Sequence, residues 1–441
     1  MKIILPEKVN QIIHTLQSNG YEAYAVGGCV RDSILQRVPD DWDITTSATP
    51  QETKALFPRT FDTGIEHGTI TVLIDKDTFE VTTYRVDGKY KDSRHPSEVT
   101  FTRSLKEDLL RRDFTINAMA YNEEEGLVDI FGGMQDLENQ VIRCVGNARA
   151  RFGEDALRIL RAVRFAAQLG FEIEEETQKG ITELAPTLAN ISAERIQVEL
   201  IKMLTSPNPG MLKKAYELGI TKVILPEFDK MMETEQENPH HKYSVGEHTL
   251  KSIESISADK VLRLTMLFHD IAKPLMKTID ENGVAHFKTH DVKGAEMTKQ
   301  ILRRLKFDND TMNKVAKMVL YHDYRMPAEA KNVRRAMNKI GEDLFPYYLE
   351  VRTADTLAQS EYMQKEKLQN IEDVKVCYEG ILKRRECVSL KTLAITGSDL
   401  IADGMKPGKE IGEVLSKLLE AVIEHPEYNT KETLLDLKNK L

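Results

Sequence analysis

The chain has little from which to build a disulfide framework or a membrane span. Its four cysteines, Cys29, Cys144, Cys377 and Cys387, include no CxxC pair, so neither a disulfide scaffold nor a thiolate zinc site is expected, and the thiols read as reduced. No apolar stretch approaches the roughly 20 residues that cross a bilayer. The N-terminal MKIILPEKVN has too short an apolar run for a signal peptide, so cytoplasmic residence without a membrane partner is the expectation. Internal repeats and low-complexity tracts are also lacking. A net charge of −9 excludes a uniformly basic nucleic-acid coat. What is there is a chain of 441 residues, 41% hydrophobic and 30% charged, too long for one core and patterned for several globular units.

Charge is unevenly placed. Between 139 and 170, Arg143, Arg149, Arg151, Arg158, Arg161 and Arg164 face only Glu154 and Asp155, a local positive excess on which a phosphate-rich partner is expected to dock. Short β-like runs (AYAV, TITVLI, FEVTTYR) alternate with helical stretches as far as residue 137, after which helical periodicity dominates, as in ALRILRAVRFAAQL and VLRLTMLFHDIA. The fold class is α+β, a mixed sheet with helices followed by helical domains. Pro-Asn-Pro-Gly at 207–210, the polar ETEQENPHHKYS at 233–244 and KRREC at 383–387 punctuate it, and four segments are expected, 1–137, 138–210, 211–385 and 386–441.

The densest chemistry lies in GGCVRDSILQRVPDDWD, residues 27–43. On a strand, Asp41 and Asp43 would point to one face roughly 6.6 to 7 Å apart, a spacing that lets two carboxylates grip a pair of divalent cations. Hard cations on oxygen ligands suggest phosphoryl transfer from a nucleoside triphosphate. A helix opening at SILQ would favour an anion at its N-terminus. Glu80, on the strand-like FEVTTYR, is the third expected carboxylate, and Arg111 and Arg112 of EDLLRRDFTINAMA are placed to clamp a triphosphate beside Asp113 and Asn117. Further on, Asp155, Arg158 and Arg161 of FGEDALRILRAVRF recur every three residues and on a helix share a face. One acceptor beside one donor can read a base edge: Asp accepts from the N4 amine of cytosine or the N6 amine of adenine, and Arg donates to the adjacent ring nitrogen. Uracil and guanine reverse that pattern, so the expected nucleotides are CTP and ATP. An intrahelical salt bridge is the plainer reading of the same spacing.

Taken in order, GGCVRD with DWD, FDTGIEHGTI (61–70), EVTTYR, RRDFTINAM, DIFGG, EDALRILRAVRF and SAERIQVEL (192–200) resemble the bacterial class II CCA-adding tRNA nucleotidyltransferases, relatives of DNA polymerase β and poly(A) polymerase. SLKTLAITGSDLI to KPGKEIGEVL (389–415) resembles the family's tail. The resemblance implies a polymerase β-like head, then neck, body and tail. It implies magnesium on Asp41 and Asp43, triphosphate contacts from Gly28, Arg31 and Arg112, base reading by Asp155 and Arg158, and nucleotide support from Arg161 and Arg164. The partner would be tRNA, gripped along its acceptor and TΨC arms, and VDGKYKDSRHPSEV (86–99) would be a flexible loop needed for terminal A addition. An ATP-only A-adding or poly(A)-polymerase-type enzyme shares most of these motifs.

Seven of the eleven histidines fall between 240 and 322. His248, the pair His269-Asp270, His290 and His322, with Asp355 downstream, resemble an HD-domain phosphohydrolase. Such ligands suit a transition metal, Mn, Fe, Ni or Zn. Many members of the nucleotidyltransferase family lack these histidines, and here the chain departs from them. An HD-type nucleotide signalling hydrolase and a non-catalytic RNA binder are the readings from other classes; the order of the domains and the intact Asp41, Asp43 and Arg112 count against them. Oligomeric state stays open.

Overall fold

Apolar residues at Val9, Ile12, Ile13 and Leu16 make one helical stripe, and they are the buried face of α1 (Glu7–Ser18). The computed structural model describes residues 2–88, 99–237, 240 and 242–440, in two compact units, Met1–Pro226 and Glu227–Leu441. In the first unit the strands are β1 (Ala23–Val26), β2 (Ile44–Thr46), β3 (Thr60–Gly64), β4 (Thr69–Ile74), β5 (Asp77–Thr83), β6 (Arg85–Asp87), β7 (Val99–Phe101), β8 (Met119–Asn122), β9 (Gly126–Asp129), β10 (Val141–Ile142) and β11 (Glu172–Ile173). β10 pairs with β11 and β6 with β7, and the other seven join one mixed sheet, as the sequence predicts, in the order β3-β4-β5-β2-β1-β8-β9. β6 and β7 pair as an antiparallel hairpin, and residues 89–98 of the expected flexible loop lie outside the described residues.

Register does the first piece of functional work. β2 and β5 run parallel with Ile44 opposite Val81, so one residue back on each side Asp43 and Glu80 are neighbours. The acids are not on a strand as predicted: β2 begins at Ile44, and Asp41 and Asp43 lie in the segment that enters it. That segment is still tied to the sheet, because the Asp43 carbonyl accepts the Val26 N–H at 3.0 Å. After β1 the chain turns at Gly27, whose φ of 83° is costly for a residue with a Cβ. The turn starts α2 (Gly28–Ile34) at the second glycine, five residues earlier than expected, so Arg31 and Asp32 sit within the helix.

The unit continues through α3 (Pro50–Leu56), α4 (Leu105–Leu110) and α5 (Gly133–Glu138) into α6 (Ala148–Glu154), α7 (Leu157–Leu169), α8 (Glu175–Leu184) and α9 (Ala193–Leu204). α7 packs on α9, burying Leu157, Ile159, Leu160 and Val163 on one and Ile196, Leu200 and Met203 on the other. At the Pro-Asn-Pro-Gly turn, Asn208 donates to the Ala167 carbonyl at 2.9 Å and is thereby tied to the end of α7. The second unit is predominantly helical, with one core spanning Met318 to Val388 and another from Cys387 to Leu434. Among the described residues no helix is long and apolar enough to cross a membrane.

Gly132 and Gly133 test how tightly the head is packed. A Cβ on Gly133 would lie 2.4 Å from the Thr115 carbonyl and 2.9 Å from Met119, whereas one on Gly132 meets nothing within 4 Å and suffers only from its φ of +78°. Gly133→Ala is expected to lose about 2 to 3 kcal/mol through overpacking and Gly132→Ala about 1 kcal/mol, read as denaturant midpoints at unchanged slope. Equal losses, or the reverse order, would show that the 115–119 segment yields freely.

Candidate active site and candidate metal centre

Three carboxylates gather where the chain enters β2 beside the middle of β5. Asp41, Asp43 and Glu80 all reach solvent. The crowded protein surround of Asp43, and then the charge of Asp41, push its carboxyl above the usual range; Arg112 opposes this and Glu80 adds to it. A set of hard oxygen donors whose mutual repulsion is incompletely relieved is what a divalent cation would neutralise, so the residues fit magnesium.

Facing them, arginines are fixed by acids held within the fold. Buried Asp108 accepts from Arg111 at 2.7 and 2.9 Å, from Thr45 of β2 at 3.1 Å, and lies 3.6 Å from Arg112. Its carboxyl is lowered because the two arginines outweigh burial, which alone would raise it. Arg112 Nη1 lies 3.0 Å from where a Gly27 Cβ would stand, so the glycine admits the guanidinium; its Nε is buried without a hydrogen-bond partner among the described residues. Arg31 grips Asp32 with two bonds of 2.9 Å and donates to Asn117 Oδ1 at 2.6 Å. Asn117 donates in turn to Asp113, whose other oxygen takes Arg161 at 2.7 Å. Burial would raise Asp113, but the charge and hydrogen bond of Arg161, with Asn117, hold it down to about 2. Arg31, Arg161 and Arg164 also surround the Phe165 ring, 5.0, 5.3 and 3.8 Å from its centroid.

The base-reading candidates are arranged differently from the sequence expectation. Asp155 is not on the helix of Arg158 and Arg161; it lies in the break between α6 and α7, because its Oδ1 accepts the Leu157 N–H at 3.0 Å and so starts a new helix. The intrahelical Asp155–Arg158 bridge does not form. Arg158 binds Glu154 at 2.7 Å and the Arg111 carbonyl at 2.9 Å, while Asp155 is held by Arg195 of α9 at 2.7 Å. Arg164 pairs with buried Glu199 at 2.6 Å, and burial, the largest influence, pushes its guanidinium down to about 10. The expected basic patch is corrected in the same way. Arg143 pairs with Asp136 and Glu174, Arg149 with Glu183 and Glu176, and Arg161 with Asp113, so acids outside the 139–170 window offset the local excess, while Arg151 pairs within it with Glu154. Arg195 and Glu199 escaped the sequence reading although SAERIQVEL was singled out as a segment; an Arg in the first helical turn was the available signal.

In the second unit the histidines converge as predicted. His248 Nε2 lies 3.2 Å from His269 Nε2 and 3.0 Å from Asp355; His269 Nε2 lies 3.2 Å from Asp270 Oδ2. On the other oxygen of Asp270 stand His290 at 3.5 Å and His322 at 3.7 Å, themselves 3.1 Å apart. Two ligand sets thus share Asp270. Each imidazole points Nδ1 at a backbone carbonyl, Ala358 at 3.3 Å, Met266 at 2.7 Å, Phe287 at 2.8 Å and Val319 at 2.7 Å. A carbonyl only accepts, so each Nδ1 carries a proton and the four Nε2 atoms aim inward, where a neutral ring would offer its lone pair. Two such nitrogens 3.2 Å apart repel unless a cation lies between them, so the donor set fits a transition metal. Buried Lys273, 2.8 Å from Asp270, was not foreseen.

The mixed sheet with two acids entering one strand, a third within its parallel neighbour and a guanidinium cluster facing them defines a nucleotidyltransferase. Known proteins narrow this. The poly A polymerase head domain family matches residues 23–143, and tRNA nucleotidyltransferase domain 2 matches 286–437. The CCA-adding enzyme of Enterococcus faecalis is 35% identical over 97% of this chain and 94% of its own length, and that of Lactiplantibacillus plantarum 36% identical over 96% and 94%. The crystal structure of the Bacillus stearothermophilus CCA-adding enzyme in complex with CTP superposes with a TM-score of 0.72 at 29% identity, covering 99% of this chain and 98% of that one. The chain belongs to the CCA-adding enzyme family.

Proposed function

We propose that this chain builds or restores the 3′-terminal CCA of tRNA from CTP and ATP, releasing pyrophosphate and using no nucleic-acid template. The observation that carries the reading is the end-to-end relationship, 35% identity over 97% of the chain, to a CCA-adding enzyme. The tRNA 3′ hydroxyl attacks the α-phosphorus, an O–P bond forms, the bond to the β-phosphate oxygen breaks, and pyrophosphate leaves. Magnesium held by Asp41 and Asp43, with Glu80 beside them, supplies the positive charge that eases loss of the hydroxyl proton and stabilises the charge developing on phosphate. Arg31 and Arg112 hold the triphosphate, and Gly28 leaves its backbone open to it. Asp155 accepts from the amine of cytosine or adenine while Arg158 donates to the ring nitrogen; Arg161 and Arg164 support the nucleotide through Asp113, Phe165 and Glu199. We assign 1–137 as head, 138–210 as neck, 211–385 as body and 386–441 as tail, the neck and tail gripping the acceptor and TΨC arms by shape and backbone. A separate core from Cys387 onward supports the last boundary.

We further propose that His248, His269, Asp270, His290, His322 and Asp355 would hold a transition metal, which would supply a polarised water for phosphoester hydrolysis, with RNA 2′,3′-cyclic or terminal phosphates as the substrate class. Support comes from the four inward-facing Nε2 atoms gathered with two carboxylates.

With tRNAs ending before CCA, after C and after CC, each nucleotide given singly, C is expected twice and then A. ATP-only extension of the CC-ending tRNA would indicate an A-adding enzyme instead. For the second centre, protein loaded with Mn, Ni or Zn and desalted is expected to retain metal by mass spectrometry and to cleave cyclic-phosphate RNA. Asp270→Ala should lose both while keeping nucleotide transfer; metal-free wild-type protein after loading would refute the centre.

A further inference from the structure

We propose that Arg195 is a positioning residue that sets nucleotide selectivity through Asp155. The inference rests on the assignment of Asp155 as base reader.

Asp155 sits in the break between α6 and α7, where the helical frame that would otherwise orient it is absent. Within its own segment the carboxylate makes one hydrogen bond, Oδ1 with the Leu157 N–H at 3.0 Å. A carboxylate held at a single oxygen is free to rotate about its terminal torsion, which has a broad profile. Arg195 removes that freedom: its Nη2 donates to Oδ2 at 2.7 Å and its Nη1 to Oδ1 at 3.4 Å, so both oxygens are fixed and Oδ2 keeps a further lone pair for a ligand amine.

The local physics of α9 speaks against a purely structural cation at this position. Arg195 lies in the first helical turn, after Ser192, where the exposed N–H groups disfavour positive charge. Four residues on, Glu199 would be its natural intrahelical partner, yet Glu199 is drawn to Arg164 at 2.6 Å and Arg195 to Asp155. The pair is not deeply buried, with side chains 26% and 17% exposed, so a nucleotide base can reach Asp155 without displacing Arg195. A residue that breaks a local rule to orient an acid beside a base-reading arginine fits a role in selection.

The test compares single-nucleotide incorporation of CTP and UTP on tRNA lacking CCA, with wild type, Arg195→Ala, Arg195→Lys, Asp155→Ala and the double Asp155→Ala/Arg195→Ala variant, and with inhibition by inorganic tripolyphosphate as a second readout. Arg195→Ala is expected to lower kcat/KM for CTP about tenfold and UTP much less, so the C-to-U ratio falls about tenfold, equivalent to about 1.4 kcal/mol of discrimination, while tripolyphosphate inhibition is unchanged. Arg195→Lys, which keeps charge but loses the fork, should recover part of the ratio. In the Asp155→Ala background, Arg195→Ala should change nothing further. An unchanged C-to-U ratio in Arg195→Ala, alongside a reduced one in Asp155→Ala, would overturn the role of Arg195 and leave the base reader intact. An unchanged ratio in Asp155→Ala would instead overturn the base-reading assignment. If Arg195→Ala does not fold, the Arg195→Lys ratio decides: wild-type selectivity there would count against the fork.

Discussion

Asp113 is a carboxylate taken out of water, and what neutralises it organises the rest of the first unit. A buried charge without a partner costs several kcal/mol, so Asp113 must be met by a cation and by hydrogen bonds. It is met by Arg161 from α7 on one oxygen and by Asn117 on the other, and Asn117 passes the connection on to Arg31 of α2. One chain of polar contacts therefore runs from α2, behind the glycine turn, through the 3₁₀ segment that precedes β8, to α7. Phe165 sits between Arg31 and Arg161, with Arg164 against it as well, and limits how far they can move. The residues proposed to hold phosphate and those proposed to read the base are tied together because they share this buried acid.

The two centres illustrate how ligand chemistry follows from environment. At the entry to β2 and on neighbouring β5 the donors are carboxylates open to solvent, and the residual repulsion among Asp41, Asp43 and Glu80 suits a hard, partly hydrated cation. In the second unit His248 and His269 are fully buried, and every Nδ1 proton is committed to a backbone carbonyl, leaving nitrogen lone pairs for a softer ion. Arginine placement shows the complementary principle. A run of six arginines looks like a nucleic-acid patch in sequence, but folding brings Asp113, Asp136, Glu174, Glu183 and Glu199 onto them, so most of that charge serves to fix geometry.

Much of this was legible in the sequence where the signal is local. Strand runs such as TITVLI and FEVTTYR, the Asp41/Asp43 spacing and the clustering of histidines depend on neighbours a few residues away, and periodicity reads them. The adjacency of Asp43 to Glu80 came close, since a third acid on a neighbouring strand was expected, whereas the order of the strands in the sheet was not read at all. What could not be read was set by contacts between distant segments. Helical spacing placed Asp155 with Arg158 and Arg161, but its side chain competes for the Leu157 N–H and breaks the helix, a choice that spacing does not reveal. Arg195 and Glu199 become meaningful only once α9 lies on α7. The start of α2 was misplaced because Gly27 turns the chain directly off β1, and that depends on a positive φ no motif announces.

The central claim is that Asn117 couples the two halves of the nucleotide site, since its side-chain oxygen faces Arg31 and its nitrogen faces Asp113. The most direct test measures tripolyphosphate inhibition and C-to-U selectivity on the same Asn117→Ala protein. Truncation leaves Arg31 Nη1 and Asp113 Oδ1 each short of a partner, a cost of about 1 to 3 kcal/mol, so both readouts should worsen together, each by about tenfold. A protein that loses thermal stability but keeps both values, or that loses one and keeps the other, would contradict the coupling.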